Sequence, residues 1–144
     1  MTKSKKRISK KRRTVKKRPT SGRIVQMFLQ FLNMIKLYHW KTRSYSQHKA
    51  TDELYGRLNE NIDKFVEVLL GKDQSRIQNI EHQLKLINTA NMTNVKECVF
   101  EYRAFLTEFN TYFDEKKDSD LLSIRDDLLV DVNQFLYLLS FDKI

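Results

Sequence analysis

The sequence predicts an all-α protein, and three observations carry that prediction. The 144 residues include only three Gly and one Pro, too little punctuation for the many turns of an all-β fold. Apolar residues recur at three- and four-residue steps through four long stretches, the mark of helices that each bury one face. A mixed segment over 72–92 separates the second stretch from the third. A chain crossing between helix pairs needs such a long connection, so the pattern favours a four-helix bundle with a mid-chain crossover over a simple up-down bundle. The body after residue 20 is long enough for one helical core.

The first helix should begin near Ser21 as N-cap. Ile24, Met27, Phe28, Phe31, Leu32, Ile35 and Tyr38 form its buried face, and His39 extends that face one turn beyond Ile35. The segment KTRSYS interrupts the pattern, and Ser46 is a candidate N-cap for the second helix. That helix is expected from about Gln47 to Leu70, stopped by Gly71 at C′, with Leu54, Leu58, Ile62, Phe65 and Leu69 as its stripe. Ile77, Ile80, Leu84 and Ile87 predict a short amphipathic helix inside the connection. Thr93 should cap a third helix carrying Val95, Val99, Tyr102, Phe105, Leu106, Phe109, Tyr112 and Phe113. Asp118 or Ser119 should cap the fourth, whose face holds Leu121, Leu122, Leu128, Leu129, Val132, Phe135, Leu136 and Leu139.

Charge divides the chain in two. The net charge is +9, yet eleven of the 27 basic residues fall within 1–20, which has no acid. The remaining 16 basic residues face 18 acidic ones, a net of −2. Residues 1–20 are therefore expected to be a disordered arm, since they cannot bury enough apolar surface to offset their ordering entropy. Residues 21–144 form the folded body. The arm's Lys3, Lys5, Lys6, Arg7, Lys10, Lys11, Arg12, Arg13, Lys16, Lys17 and Arg18 suit DNA or another polyanion, bound by phosphate neutralisation. The KKR and KKRR clusters also fit a nuclear import signal. The arm has no aromatic residue, so base stacking is not expected from it.

Several function classes are poor fits. No apolar run approaches the ~18 residues of a membrane span, and the N-terminus lacks the apolar core of a secretory signal. Cys98 is the only cysteine, which excludes an intrachain disulfide and suits a reducing, intracellular setting, cytosolic or nuclear. It reads as a small buried apolar residue. No nucleophile motif or phosphate-binding Gly loop is present. His82 reads as an exposed residue of the connection.

The chemistry-bearing residues lie between Tyr38 and Gly71. At ~100° per residue, Asp52, Asp63 and Glu67 lie about 40°, 60° and 100° from His48 on the second helix. His48–Asp52 and Asp63–Glu67 are each i,i+4 pairs, close enough to share a cation, and imidazole with carboxylate suits iron, manganese or zinc. The two pairs cannot bind one ion within a chain, because eleven residues of helix rise roughly 16 Å. Two copies of this helix packed antiparallel about a twofold axis would bring His48 and Asp52 of one chain to Asp63 and Glu67 of the other, making two identical sites. His39 could add a ligand to the His48 side. The alternative is that the acids are ordinary solvated residues and that His39, beside Trp40, is a packed core histidine.

The string YHWKTRSYSQHKATDELYGRLNENIDKFVEVLLG resembles the signature of the Dps proteins, the ferritin-like DNA-protecting proteins of starved bacteria. The family pattern is a His-Trp pair, a second His, an Asp four residues on, then Asp-x-x-x-Glu. Here these are His39-Trp40, His48, Asp52, Asp63 and Glu67. The stretch DSDLLSIRDDLLVDVNQFLYLLS is similar to the family's last helix. The resemblance implies a ferritin-like four-helix bundle with a short helix in the crossover, assembled as a homodimer or larger homo-oligomer. It also implies ferrous iron as the metal, oxidised by peroxide at intersubunit sites, with Trp40 beside each site and a basic arm for DNA. The interval from His39 to His48 is three residues shorter than the family's, and RSYS replaces its Gly-Pro turn. Short Lys- and Asn-rich chains of this kind also resemble uncharacterised ferritin-like proteins of large DNA viruses. That likeness leaves open a non-enzymatic DNA-condensing or virion-packing protein on the same scaffold.

Overall fold

The computed structural model describes residues 17–77 and 84–141, and over those residues the protein is helical with no strand. The helices are α1 (Ser21–Lys41), α2 (Tyr45–Asp73), α3 (Met92–Thr107), the single turn α4 (Phe109–Tyr112) and α5 (Ser119–Leu138).

The helix starts differ from the expected ones by one or two residues and two of the ends by three or more, for reasons visible in the caps. Thr20, not Ser21, caps α1: its Oγ1 accepts from the Arg23 amide at 3.2 Å. Ser44, not Ser46, caps α2 by accepting from the Gln47 amide, so α2 begins at Tyr45. Asn91, not Thr93, caps α3 through the Asn94 amide at 3.0 Å. Gly71 does not stop α2. The stop falls at Gln74, whose φ of 49° and ψ of 42° place it in the left-handed region, the usual helix-ending conformation. The third helix breaks at Glu108 instead of running on to Phe113. Asp118 is the residue before α5 but makes no side-chain cap bond to it; its carboxylate accepts from the Asp114 amide. The expected helix through Ile77, Ile80, Leu84 and Ile87 falls partly on 78–83, outside the described residues along with His82, and 75–77 and 84–90 are irregular.

One core joins all the helices. Ile24, Phe28, Phe31 and Ile35 of α1 meet Leu54, Leu58, Phe65 and Leu69 of α2, Val95, Val99 and Tyr102 of α3, and Leu121, Leu128, Val132 and Phe135 of α5. Met27, Phe105, Tyr112, Leu129, Leu136 and Cys98 pack against it half-buried. Its aromatic centre is Phe28, Phe65, Phe105, Phe109 and Phe113, with edge-on neighbours such as Phe28–Phe65 at 5.5 Å.

Cross-helix contacts give the direction of each helix. Ser21, at the start of α1, donates to Asp73 at the end of α2, so α1 and α2 are antiparallel. Lys72 near the end of α2 bonds Asp120 at the start of α5, while Arg57 bonds Gln134, so α2 and α5 are antiparallel. Phe31 stacks on Tyr102 at 4.1 Å and Phe28 meets Phe105, so α3 runs opposite to α1. Helices α2 and α3 therefore run the same way, and the segment between them has to return along the length of the protein.

The arm's root is held by the body. Arg18 donates to Asp73 at 3.0 Å and lies 5.2 Å from the Phe113 ring centroid. The arm cations Lys3 through Lys16 lie outside the described residues. No helix among the described residues is long and apolar enough to cross a membrane.

Candidate functional site

The connection from α1 to α2 is only three residues long, and side chains fix its shape. Thr42 Oγ1 and the Tyr38 hydroxyl both donate to Gln47 Oε1 at 2.8 Å. The Thr42 amide returns to the Tyr38 carbonyl at 2.9 Å, and the Ser44 amide donates to Thr42 Oγ1. This tight corner brings the last turn of α1 against the first turn of α2.

His39 and His48 meet there. Their rings stack with centroids 3.9 Å apart and planes 19° from parallel. His39 Nδ1 donates to the His48 carbonyl at 2.9 Å, and His48 Nδ1 donates to the His39 carbonyl at 3.0 Å. A carbonyl can only accept, so each Nδ1 carries a hydrogen, and the only ring nitrogen that can offer a lone pair is Nε2. Thr51 reinforces this choice. Its hydroxyl donates to the Gln47 carbonyl at 2.7 Å and stands 3.2 Å from His39 Nδ1 as a second acceptor. Metal-binding imidazoles are oriented in this way, with the other ring nitrogen held by a carbonyl or hydroxyl.

Asp52 adds a carboxylate. Its Oδ1 lies 3.9 Å from His39 Nε2, and it is largely exposed. His39, only 7% exposed, has its second nitrogen beside that acid. His39 therefore sits between the His48 ring and the Asp52 carboxylate in a corner cluster, despite the short interval between the histidines, but the three side chains do not close into a group that could hold a metal ion.

Asp63 and Glu67 are not part of that cluster. They are exposed on the same unbroken helix α2, with Asp63 roughly 16 Å along the axis from Asp52 by helix rise. Asp63 lines a shallow groove between α1 and α2 with Val25, Leu29, Leu32, Ile62 and Val66. Leu29 is exposed in that groove, while Val25, Leu32 and Ile62 are buried. Among the described residues, no three His, Cys, Asp or Glu side chains of one chain come together in a group that could hold a metal ion.

Trp40, beside His39, is 70% exposed. Lys36 Nζ lies 5.5 Å from its ring centroid and 4.6 Å from that of Tyr55. Two contributors escaped the sequence reading. Thr51 was readable as a polar residue on a buried helical position three residues after His48. The Tyr38–Thr42–Gln47 knot had no recognisable pattern.

No curated protein and no solved structure matches the chain. Residues 39–139, from the first histidine of the corner to the end of α5, match the model of a family of unknown function, DUF5856, and the chain belongs to that family.

Proposed function

We propose that the protein is a ferritin-like four-helix bundle, similar to the Dps proteins, that takes ferrous iron as substrate at sites shared between two copies and binds DNA through its basic arm. The observation that carries this reading is the reciprocal His39–His48 pair. It fixes both imidazoles in the tautomer that offers Nε2 to a cation, with Asp52 alongside. The parallel course of α2 and α3, with a long return between them, supports the ferritin-like arrangement.

The donor set fits the ion. Neutral imidazole and ionised carboxylate suit ferrous iron and hold the more highly charged ferric ion better. Asp63 and Glu67 of a second copy would complete each site if the α1–α2 faces pack about a twofold axis. The groove that holds the exposed Leu29 beside Asp63 is the surface such a contact would cover. With peroxide as oxidant, two Fe²⁺ each give one electron, H₂O₂ takes both with two protons, and two waters form. Removing iron and peroxide together would protect nucleic acid held by the arm.

The test compares Fe²⁺ oxidation by the full chain and by an Asp63→Ala/Glu67→Ala variant. A slower variant is expected, and equal rates would remove the metal site. Deleting residues 3–16 should abolish most duplex DNA binding and flatten its salt dependence. Arg18 is left in place because it is packed on the body. A second reading, a DNA-condensing protein without metal chemistry, is favoured by one observation: the two histidines staple the corner to its own backbone, which accounts for them structurally. Equal iron oxidation rates with intact DNA binding would select it.

A further inference from the structure

The α1–α2 corner also gathers exposed aromatic rings and cations. Trp40 and Tyr45, 70% and 74% exposed, are the most exposed large apolar side chains among the described residues. They lie on either side of the three-residue connection. Aromatic rings left in water at a helix end gain nothing for the core.

Each ring has a cation beside it. Lys36 Nζ lies 5.5 Å from the Trp40 centroid, and Lys49 Nζ lies 5.6 Å from that of Tyr45. Arg43, in the connection, is exposed and has no ion pair with a described residue. Lys41 is excluded from this group because its ammonium is taken by Asn88 and Thr89. No acid precedes Asp52 in the chain, so the turn itself is purely cationic.

We infer that this corner is a binding site for single-stranded nucleic acid, separate from the arm. Bases stack on Trp40 and Tyr45, while Lys36, Arg43 and Lys49 neutralise the adjoining phosphates. Alternating aromatic and cationic side chains is how proteins hold single strands without reading sequence. A duplex keeps its base faces stacked internally and gains only the charge term. The arm lacks aromatic residues and supplies charge alone, so the two elements differ in what they prefer. The arm joins the body at the other end of α1, roughly 30 Å from the corner by helix rise. The inference is independent of the metal reading, which would set a second copy's Asp63 and Glu67 beside the same corner; the response of Trp40 to protein concentration tells the two apart.

The test uses the full chain and its single tryptophan. An oligothymidylate of about 20 nucleotides, an oligouridylate of the same length and a matched DNA duplex are titrated, following anisotropy of a label and Trp40 fluorescence. Trp40 emission should be quenched by the single strands. Trp40→Ala and Tyr45→Ala should each weaken single-strand binding roughly five- to a hundred-fold and leave duplex binding unchanged, while Tyr45→Phe retains it. Arg43→Gln and Lys49→Gln should each lower the single-strand salt slope by about 0.7. Tighter binding of either single strand identifies RNA or DNA as the ligand. Equal losses on single strand and duplex, or no loss, overturn the inference. So does Trp40 emission that responds to protein concentration but not to oligonucleotide, which would assign the rings to contact with a second copy.

Discussion

His39 and His48 each hold the other's backbone carbonyl through Nδ1, at 2.9 and 3.0 Å, with their rings in contact. The pair therefore closes the α1–α2 corner as well as presenting two Nε2 atoms. His39→Ala removes a buried ring with two acceptors, and should cost roughly 1–3 kcal/mol in urea unfolding followed by circular dichroism. His48→Ala, at an exposed position, should cost less, roughly 0.5–1.5 kcal/mol. Equal costs would mean that the burial of His39 does not distinguish the two rings.

Arg125 should prove more important to stability than any surface ion pair. It is buried in α5, and its Nη1 donates to the Leu106 carbonyl at 2.9 Å while Nη2 reaches Asn110. The break at Glu108 leaves carbonyls at the end of α3 without helical partners, and the guanidinium supplies one. Arg125→Met keeps bulk but removes the donors, and should lower stability by roughly 1–3 kcal/mol. Arg57→Ala, which breaks an exposed pair with Glu53, should cost under about 1 kcal/mol.

Asp131 predicts a pH dependence. Its carboxylate is 8% exposed and accepts from Asn61 at 2.7 Å. Burial pushes its pKa up; the Asn61 bond and Arg57 oppose that, and Asp127 and Glu60 add to it. The folded state thus holds this proton more tightly than the unfolded chain. Its stabilising contribution is complete below the unfolded carboxylate value of about 3.9 and is lost as pH rises through the folded value. At pH 7 the ionised group is a burden. Asp131→Asn keeps an acceptor for Asn61 without the charge, so it should raise the urea midpoint at pH 7. That gain should shrink steadily as pH is lowered toward 4. A gain that persists unchanged in acid would contradict the sign.

The helical stripes were legible because burial repeats with the helix period. All five apolar positions assigned to α2 are buried, as are six of the seven assigned to α1, with Met27 half-buried. The breaks were less legible. Gly71 reads as a stop, but three further residues fit the helix before Gln74 turns left-handed. The interruption at Glu108 is bridged by Arg125, seventeen residues away, through Leu106 and Asn110, a contact that no local pattern reports. Of the candidate site, residue types and helix angles were readable. That His39 and His48 would stack followed from a corner only three residues long, closed by Tyr38, Thr42 and Gln47, and is a tertiary fact. The five proposed ligands divide into a corner group and an exposed pair farther along α2, so the proposed function needs a second copy to join them.

That division gives the sharpest test of the proposed function. A His48→Ala/Asp52→Ala chain lacks the corner half of the site, and an Asp63→Ala/Glu67→Ala chain lacks the other half. All four positions are exposed, so both variants should fold. Each alone should oxidise Fe²⁺ slowly, because every site in its own dimer has one defective half. Unfolded together in equal amounts and refolded, half of the dimers should be mixed. In a mixed dimer one site receives both intact halves and the other receives neither. About a quarter of the wild-type sites should therefore return, seen as recovered Fe²⁺ oxidation in the mixture. The same two proteins refolded separately and then combined should recover activity only as fast as subunits exchange. No recovery after joint refolding would mean that the corner cluster and the Asp63–Glu67 pair never meet across an interface.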